Sequence, residues 1–188
     1  MGSIDSVDLK ENAMTVGTYT LTLPGPMLRR GFWLYVWRII VPDGRELLYV
    51  GRTGDNSSPH ASPVYIRMGQ HLGSAKNTNA LRKHLTEHGI APEDCVEFDM
   101  VAHGPIYAEV EKPADYNHDD KEIRATLMKQ HLPIRDIVGA MEKRLADDLS
   151  AANYVVMNEV KWKPTISDED WHPIRTAFAE KFPKLKMI

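Results

Sequence analysis

Residues 31–55 read GFWLYVWRIIVPDGRELLYVGRTGD, and this stretch decides the fold. Two runs rich in aromatic and β-branched residues, Phe32–Val41 and Glu46–Val50, are typical of β-strands. Asp43-Gly44 between them is a turn signal, since Asp-Gly readily adopts the backbone of a tight hairpin turn. The sequence therefore predicts an antiparallel hairpin with one tyrosine on each strand.

The residues after the hairpin predict two helices. The first is short and covers Val64–Leu72. Asn77 and Thr78 are candidate N-caps for a second helix over Asn79–His88, which Gly89 should end.

Alternation of apolar and polar side chains predicts further strands. Met14–Leu23 reads MTVGTYTLTL and predicts an extra edge strand, while Cys95–Ala102 predicts the third strand of the core sheet. Tyr154–Met157 is a short apolar strand candidate. Residues 103–118 contain Gly and Pro and are typical of a loop or insertion.

The C-terminal half predicts three helices. One covers 119–130 and should be interrupted by Pro133, which lacks a backbone donor, and a longer one covers Ile134–Ala152. Ser167 is the expected N-cap of the last helix. We expect a single domain, 1–188, with an α+β fold: a three-stranded antiparallel sheet, an extra edge strand and flanking helices.

Composition narrows the class of protein. With 188 residues, 43% of them hydrophobic, the chain can bury one core. The single cysteine, Cys95, excludes an internal disulfide framework and a cysteine-based zinc site. The chain has no signal-peptide pattern at its start and no membrane-length apolar run, so we expect a cytoplasmic protein with no membrane partner.

Charge is distributed unevenly along the chain. The formal net charge of −3 argues against a protein that coats nucleic acid indiscriminately. Residues 29–83, however, contain nine Lys and Arg and only three acids. A basic segment of this kind suits a DNA partner, although the polar faces of a hairpin and two helices would also carry charge.

The two tyrosines and the first helix resemble the GIY-YIG nuclease superfamily. In that family the first strand carries Gly-Ile-Tyr and the second carries Tyr-Ile-Gly. Here Trp33–Tyr35 is a degenerate first motif and Tyr49–Gly51 is a nearly intact second motif. Arg67 and His71 follow at the family's spacing, four residues apart and therefore on one helical face.

The resemblance covers residues 31–158, with an insertion around 103–133, and leaves 159–188 as a C-terminal extension with one helix. It implies that Tyr35 and Tyr49 are catalytic. Arg52 would be a cation at the substrate that lowers the pKa of a tyrosine. Arg67 would bind phosphate oxygens, and His71 would hydrogen-bond the attacking water, a tyrosine or the phosphate.

Glu142 is the most informative carboxylate. Val138 and Ala146 flank it on its helical row, and an acid at such an apolar margin is costly unless it is paired or metal-bound. A family glutamate on the corresponding helix binds a divalent cation, which implies one Mg²⁺ or Mn²⁺ per site on Glu142. The resemblance also implies a bracing asparagine, Asn158 or its rival Asn153.

Each of these residues also has a purely structural interpretation: packing tyrosines, surface arginines, a buried histidine, a solvated glutamate and a turn asparagine. Taken together, they predict a metal-dependent DNA endonuclease similar to a stand-alone restriction enzyme. A single site cuts one strand, so double-strand cleavage favours a homodimer on a palindromic site. The alternatives are a non-catalytic nucleic-acid- or protein-binding module with this fold, or an unrelated small α+β domain.

Overall fold

The computed structural model describes residues 17–55, 58–75, 79–114, 116–117 and 119–188. Three strands form one antiparallel sheet in the order β2-β1-β3, and four helices pack around it. This arrangement confirms the predicted small α+β fold. The elements are β1 (Phe32–Ile40), β2 (Glu46–Arg52), α1 (Val64–Leu72), α2 (Ala80–Glu87), β3 (Glu97–Tyr107), α3 (Lys121–Ala151) and α4 (Asp168–Ala179).

Strand β1 is covered on both faces of the sheet. Because successive side chains point to opposite faces, its residues divide by parity between two clusters. Phe32, Leu34 and Val36 join the cluster that contains α3 and α4 residues. Tyr35 and Trp37 join the cluster that contains α1 and α2 residues. Two-sided burial explains why this strand is apolar at every position except Arg38 rather than alternating.

The elements around the hairpin match their predicted bounds closely. Helix α1 covers the predicted residues, and α2 ends at Glu87, two residues before Gly89, whose φ of +72° suits glycine. The expected N-caps Asn77 and Thr78 lie outside the described residues. Ser167 caps α4 as predicted, since its side chain accepts a hydrogen bond from the Asp170 amide at 3.1 Å.

The predicted N-terminal edge strand is wrong over the part that the structure describes. Residues 17–24 have no strand conformation, and Tyr19 and Leu21 are 86% and 75% exposed. Alternation supplies strand propensity, but a strand also needs a hydrogen-bonded neighbour and a surface to cover. Residues 14–16 lie outside the described residues.

Strand β3 is longer than predicted, and the long helix is not interrupted. β3 extends to Tyr107 and so includes residues that were predicted to form a loop. Pro133 lies inside a single 31-residue helix, α3. A proline inside a helix costs about 3 kcal/mol, but buried residues on both sides, Leu127 and Val138 among them, hold the two halves in one continuous helix.

The chain after α3 closes the free edge of β2. The predicted strand Tyr154–Met157 forms an isolated parallel bridge, in which the Leu48 amide donates to the Val155 carbonyl and Leu48 accepts from Met157, both at 2.8 Å. Trp171 and Phe178 of α4 are then buried in the cluster that also contains Phe32 of β1 and residues of α3. The C-terminal extension is therefore part of the core that supports the hairpin.

Candidate active site

The two tyrosines lie on the face of the sheet that packs against α1 and α2. In the β1–β2 register, Tyr35 is opposite Gly51 and Trp37 is opposite Tyr49. The Tyr35 ring lies directly over Gly51, where an added Cβ would come within 2.5 Å of three ring and hydroxyl atoms. The glycine of the second motif therefore makes the space that the tyrosine of the first motif occupies.

His71 joins this pair from α1. The Tyr35 hydroxyl is 2.6 Å from His71 Nε2, and both side chains are almost completely buried. The Tyr49 ring centroid is 5.1 Å from that of His71, so the imidazole touches both phenols. His71 Nδ1 is buried and has no hydrogen-bond partner among the described residues.

Burial sets the protonation states of these three groups. It raises the pKa of Tyr35 well above that of a free phenol, and it raises the pKa of Tyr49 to about 12. Burial and the nearby charge of Arg67 lower the pKa of His71 to about 4. At neutral pH both phenols therefore hold their protons, and the imidazole is neutral and can accept a hydrogen bond.

The expectation that Arg52 lowers a tyrosine pKa needs correction. Arg52 does act on Tyr35 in the lowering direction, and so does Arg67. Desolvation of the phenol exceeds both effects, because Tyr35 is only 2% exposed. The net pKa is raised, so a tyrosinate is not the resting form of this site.

Arg52 instead pairs with Glu142. Arg52 Nε donates to Glu142 Oε2 at 3.0 Å, and the two side chains are only 11% and 16% exposed. Arg52 also donates to the Gly54 carbonyl. Burial raises the pKa of the Glu142 carboxyl, while Arg52 and Arg67 oppose that rise. This pair spans 90 residues of sequence and ties α3 to the end of β2.

Arg67 is the cation that all parts of the site share. Its charge acts on both tyrosines, on His71 and on Glu142. Its terminal nitrogens contact Gln70 Oε1 at 3.0 Å and Asp55 Oδ2 at 3.5 Å, and its buried Nε has no partner among the described residues. The Arg67 guanidinium therefore has few fixed contacts, and its charge reaches both tyrosines, His71 and Glu142.

Asn158 rather than Asn153 contacts the second motif. Its Oδ1 accepts from the Val50 amide at 2.9 Å and its Nδ2 donates to the Val50 carbonyl at 2.8 Å. These two bonds fix the backbone between Tyr49 and Gly51 from the edge of β2 that lies away from β1. Asn153 lies in the turn after α3 with a φ of 60°.

Two aromatic neighbours of the site were missed by sequence reasoning. The His84 ring centroid on α2 is 5.7 Å from that of Tyr49. Its position three residues after the buried Leu81 was the available signal. Trp162 stacks on Arg52 at 4.9 Å, and no pattern in the sequence indicates this contact.

The basic segment is largely neutralised by ion pairs. Most of its arginines contact an acid, and several of these acids lie outside residues 29–83. The pairs are Arg30–Glu109, Arg38–Asp99, Arg45–Asp43, Arg52–Glu142, Arg67–Asp55 and Arg82–Glu93. Many are half-exposed, and exposed pairs contribute little to stability, so a phosphate backbone could replace the acid at small cost.

A divalent cation would find one acidic ligand here. No group of three or more His, Cys, Asp or Glu in the described part of the chain is arranged to hold a metal. Glu142 nevertheless fits a single-ligand site, because Arg52 bonds Oε2 and the described residues give Oε1 no partner. Mg²⁺ is commonly bound by one or two carboxylates, with waters and substrate phosphates as the other ligands.

Comparison with protein-family models, curated proteins and solved structures found no match. Within the described ranges, no helix combines the length and apolar character needed to cross a membrane.

Proposed function

We propose that this chain is a divalent-metal-dependent DNA endonuclease with a GIY-YIG-type site. One observation carries the proposal: the Tyr35 hydroxyl lies 2.6 Å from a neutral His71, and the charges of Arg67, Arg52 and Glu142 all act on its pKa. These residues come from four separate elements of the chain. A packing tyrosine does not require this combination of a base, two cations and a carboxylate.

In phosphodiester hydrolysis each of these residues would have a separate role. Arg67, whose bonds to Gln70 and Asp55 are exchangeable, would bind the non-bridging phosphate oxygens as their charge grows. Glu142 would hold one Mg²⁺ or Mn²⁺, which would supply Lewis-acid stabilisation of the phosphate. Asn158 would keep the second motif in place through its two bonds to Val50.

Proton transfer would pass through the tyrosine–histidine pair. The attacking water would give its proton to the Tyr35 oxygen while Tyr35 gives its own proton to His71 Nε2. With a pKa of about 4, His71 is a weak base in the free protein. A bound phosphate would counter the charge of Arg67, which lowers that pKa, and would so strengthen the base when substrate is present.

The partner in this proposal is DNA, in a cytoplasmic setting that suits a chain with one cysteine. The compact fold is consistent with a restriction-type enzyme that reads sequence without a separate DNA-binding domain. Cleavage of both strands would require a homodimer on a palindromic site, since each chain supplies one site.

A second candidate is a non-catalytic nucleic-acid- or protein-binding module. The observation that favours it is the pairing of Glu142 with Arg52, because a carboxylate that already has a cation has less need of a metal. The degenerate first motif agrees with this candidate.

Cleavage of DNA distinguishes the two candidates. The full chain is incubated with supercoiled plasmid and with mixed linear DNA, with Mg²⁺, with Mn²⁺ or with a chelator, and the new ends are sequenced. We expect metal-dependent nicking or cleavage that Glu142→Gln abolishes and Arg67→Ala strongly reduces. DNA binding without cleavage under any metal condition would refute the nuclease and support the binding module.

A further inference from the structure

Trp162 lies in the segment between α3 and α4, outside the part of the chain that resembles the nuclease family. Two guanidinium groups stack against its ring: Arg52 Cζ is 4.9 Å and Arg135 Cζ is 5.3 Å from the ring centroid. Its Nε1 donates to the Asp136 carbonyl at 3.1 Å. These contacts fix both the place and the plane of the ring.

Gly139 on α3 makes room for this ring. A Cβ at residue 139 would lie 2.3 Å from Trp162 Cε2 and 2.6 Å from Nε1, closer than non-bonded atoms can approach. Glycine inside a helix costs about 1 kcal/mol relative to alanine. The residue that makes room for Trp162 is therefore a glycine, although helix stability alone would favour another residue at position 139.

Arg52 lies between Trp162 and Glu142. A guanidinium stacks through its flat face and donates hydrogen bonds in its plane, so it can satisfy an aromatic ring and a carboxylate together. With its Cζ 4.9 Å from the centroid of the Trp162 ring, Arg52 directs Nε at Glu142 Oε2, 3.0 Å away. The ring thereby determines where the guanidinium points.

We propose that Trp162 is a positioning residue, which holds Arg52 against Glu142 and so fixes the place of that carboxylate. The effect on DNA cleavage rests on the proposed function, whereas the positioning of Glu142 does not.

Loss of the stack has a predictable effect on Arg52. Without the π face, the guanidinium would no longer be held in place, and its Nε–H would lose Glu142 Oε2, the acceptor that lies 3.0 Å away. A hydrogen-bonded N–H exchanges with solvent more slowly than a free one. A ring that only fills space would leave this exchange rate unchanged once its volume is replaced.

The test uses two ways of removing the stack and a matched control for each. Trp162→Leu keeps apolar bulk without a π face, and Trp162→Phe keeps a ring. Gly139→Ala displaces the Trp162 ring by steric overlap and leaves residue 162 itself unchanged. Gly69→Ala is its control, because an added Cβ on that exposed residue of α1 meets nothing within 4 Å.

The primary measurement is the hydrogen-exchange rate of the Arg52 Nε–H in the full chain, from its ¹H–¹⁵N NMR signal, which is assigned by its absence in Arg52→Lys. We expect exchange to become roughly tenfold faster in Trp162→Leu and Gly139→Ala and to stay near the wild-type rate in Trp162→Phe and Gly69→Ala. If Trp162→Leu fails to fold, Gly139→Ala gives the same test.

Cleavage kinetics supply the second measurement. We expect kcat to fall roughly tenfold in Trp162→Leu and Gly139→Ala, with KM nearly unchanged and with recovery in Trp162→Phe. An unchanged Arg52 Nε–H exchange rate in both disruptive variants would overturn the positioning role, whatever the cleavage result. A wild-type chain that cleaves no DNA would overturn the proposed function and leave the exchange measurement as a valid test of the positioning.

Discussion

Replacing Tyr35 with phenylalanine removes one oxygen from the centre of the site. The ring, which packs over Gly51 and is 2% exposed, keeps its burial. The lost atom is the hydrogen-bond partner of His71 Nε2 at 2.6 Å. Because Nδ1 of the same ring already has no partner among the described residues, the variant leaves the whole imidazole unpaired in a buried place.

The cost of this change follows from the loss of one buried partner. Leaving a buried donor or acceptor unsatisfied costs about 1–3 kcal/mol. For a chain of 188 residues, each kcal/mol lowers the melting temperature by roughly 2–4 °C, so Tm should fall by about 2–12 °C. If Tyr35 also relays the proton of the attacking water, cleavage should fall by on the order of 10²- to 10⁴-fold.

Tyr49→Phe is the matched comparison. Tyr49 lies on the same face of the hairpin, but its hydroxyl has no hydrogen-bond partner in the described ranges. Its removal should change stability by less than about 0.5 kcal/mol. A role at the water or the phosphate would still reduce cleavage strongly, so this variant separates activity from stability.

Urea unfolding and single-turnover cleavage of plasmid DNA measure the two effects. We expect Tyr35→Phe to lose both stability and activity and Tyr49→Phe to lose activity alone. A Tyr35→Phe chain that unfolds at the wild-type urea concentration would contradict the hydrogen-bond argument. Wild-type cleavage rates in both variants would refute a catalytic role for the phenols and leave only a packing role.

Four further predictions concern the rest of the site. Glu142→Gln should abolish metal-dependent cleavage with DNA affinity nearly unchanged, and wild-type cleavage would remove Glu142 from the site. Arg67→Ala should lower turnover at saturating DNA by on the order of 10²-fold, whereas an effect on affinity alone would make Arg67 a phosphate anchor. Gly51→Ala should displace the Tyr35 ring and destabilise the chain in urea unfolding, while Gly25→Ala, where a Cβ meets nothing within 4 Å, should not. His71 has a folded pKa of about 4 and an unfolded pKa of about 6.5, so between these values the unfolded chain binds more protons. The free energy of unfolding should therefore fall by up to about 3 kcal/mol as pH falls through this window. His71→Asn should reduce this dependence of stability on pH.

Local signals were sufficient for the hairpin and the first helix. Asp43-Gly44 and two strongly apolar runs determine a hairpin with little help from the rest of the chain. Helix α1 has the predicted bounds because Val64–Leu72 lies between a proline-rich loop and Gly73. The strand prediction over residues 17–23 and the break predicted at Pro133 are wrong because tertiary contacts decide both.

The candidate site could be predicted only as a set of residues. Order and spacing brought Tyr35, Tyr49, Arg67 and His71 together, because two paired strands and one helical turn constrain where they lie. The Arg52–Glu142 pair joins residues 90 positions apart, and Trp162 reaches Arg52 from a segment with no regular structure. Neither contact leaves a periodic trace in the sequence.

The direction of the tyrosine pKa shift was predicted wrongly, and the reason lies in the apolar strand with which the fold begins. A strand covered on both faces takes Tyr35 out of water, which disfavours its charged form more than two arginines can offset. The same burial disfavours a protonated His71. A phenol that retains its proton next to an imidazole that lacks one can pass a proton only from tyrosine to histidine. The residues that build the sheet therefore also set the direction of proton transfer in the proposed reaction.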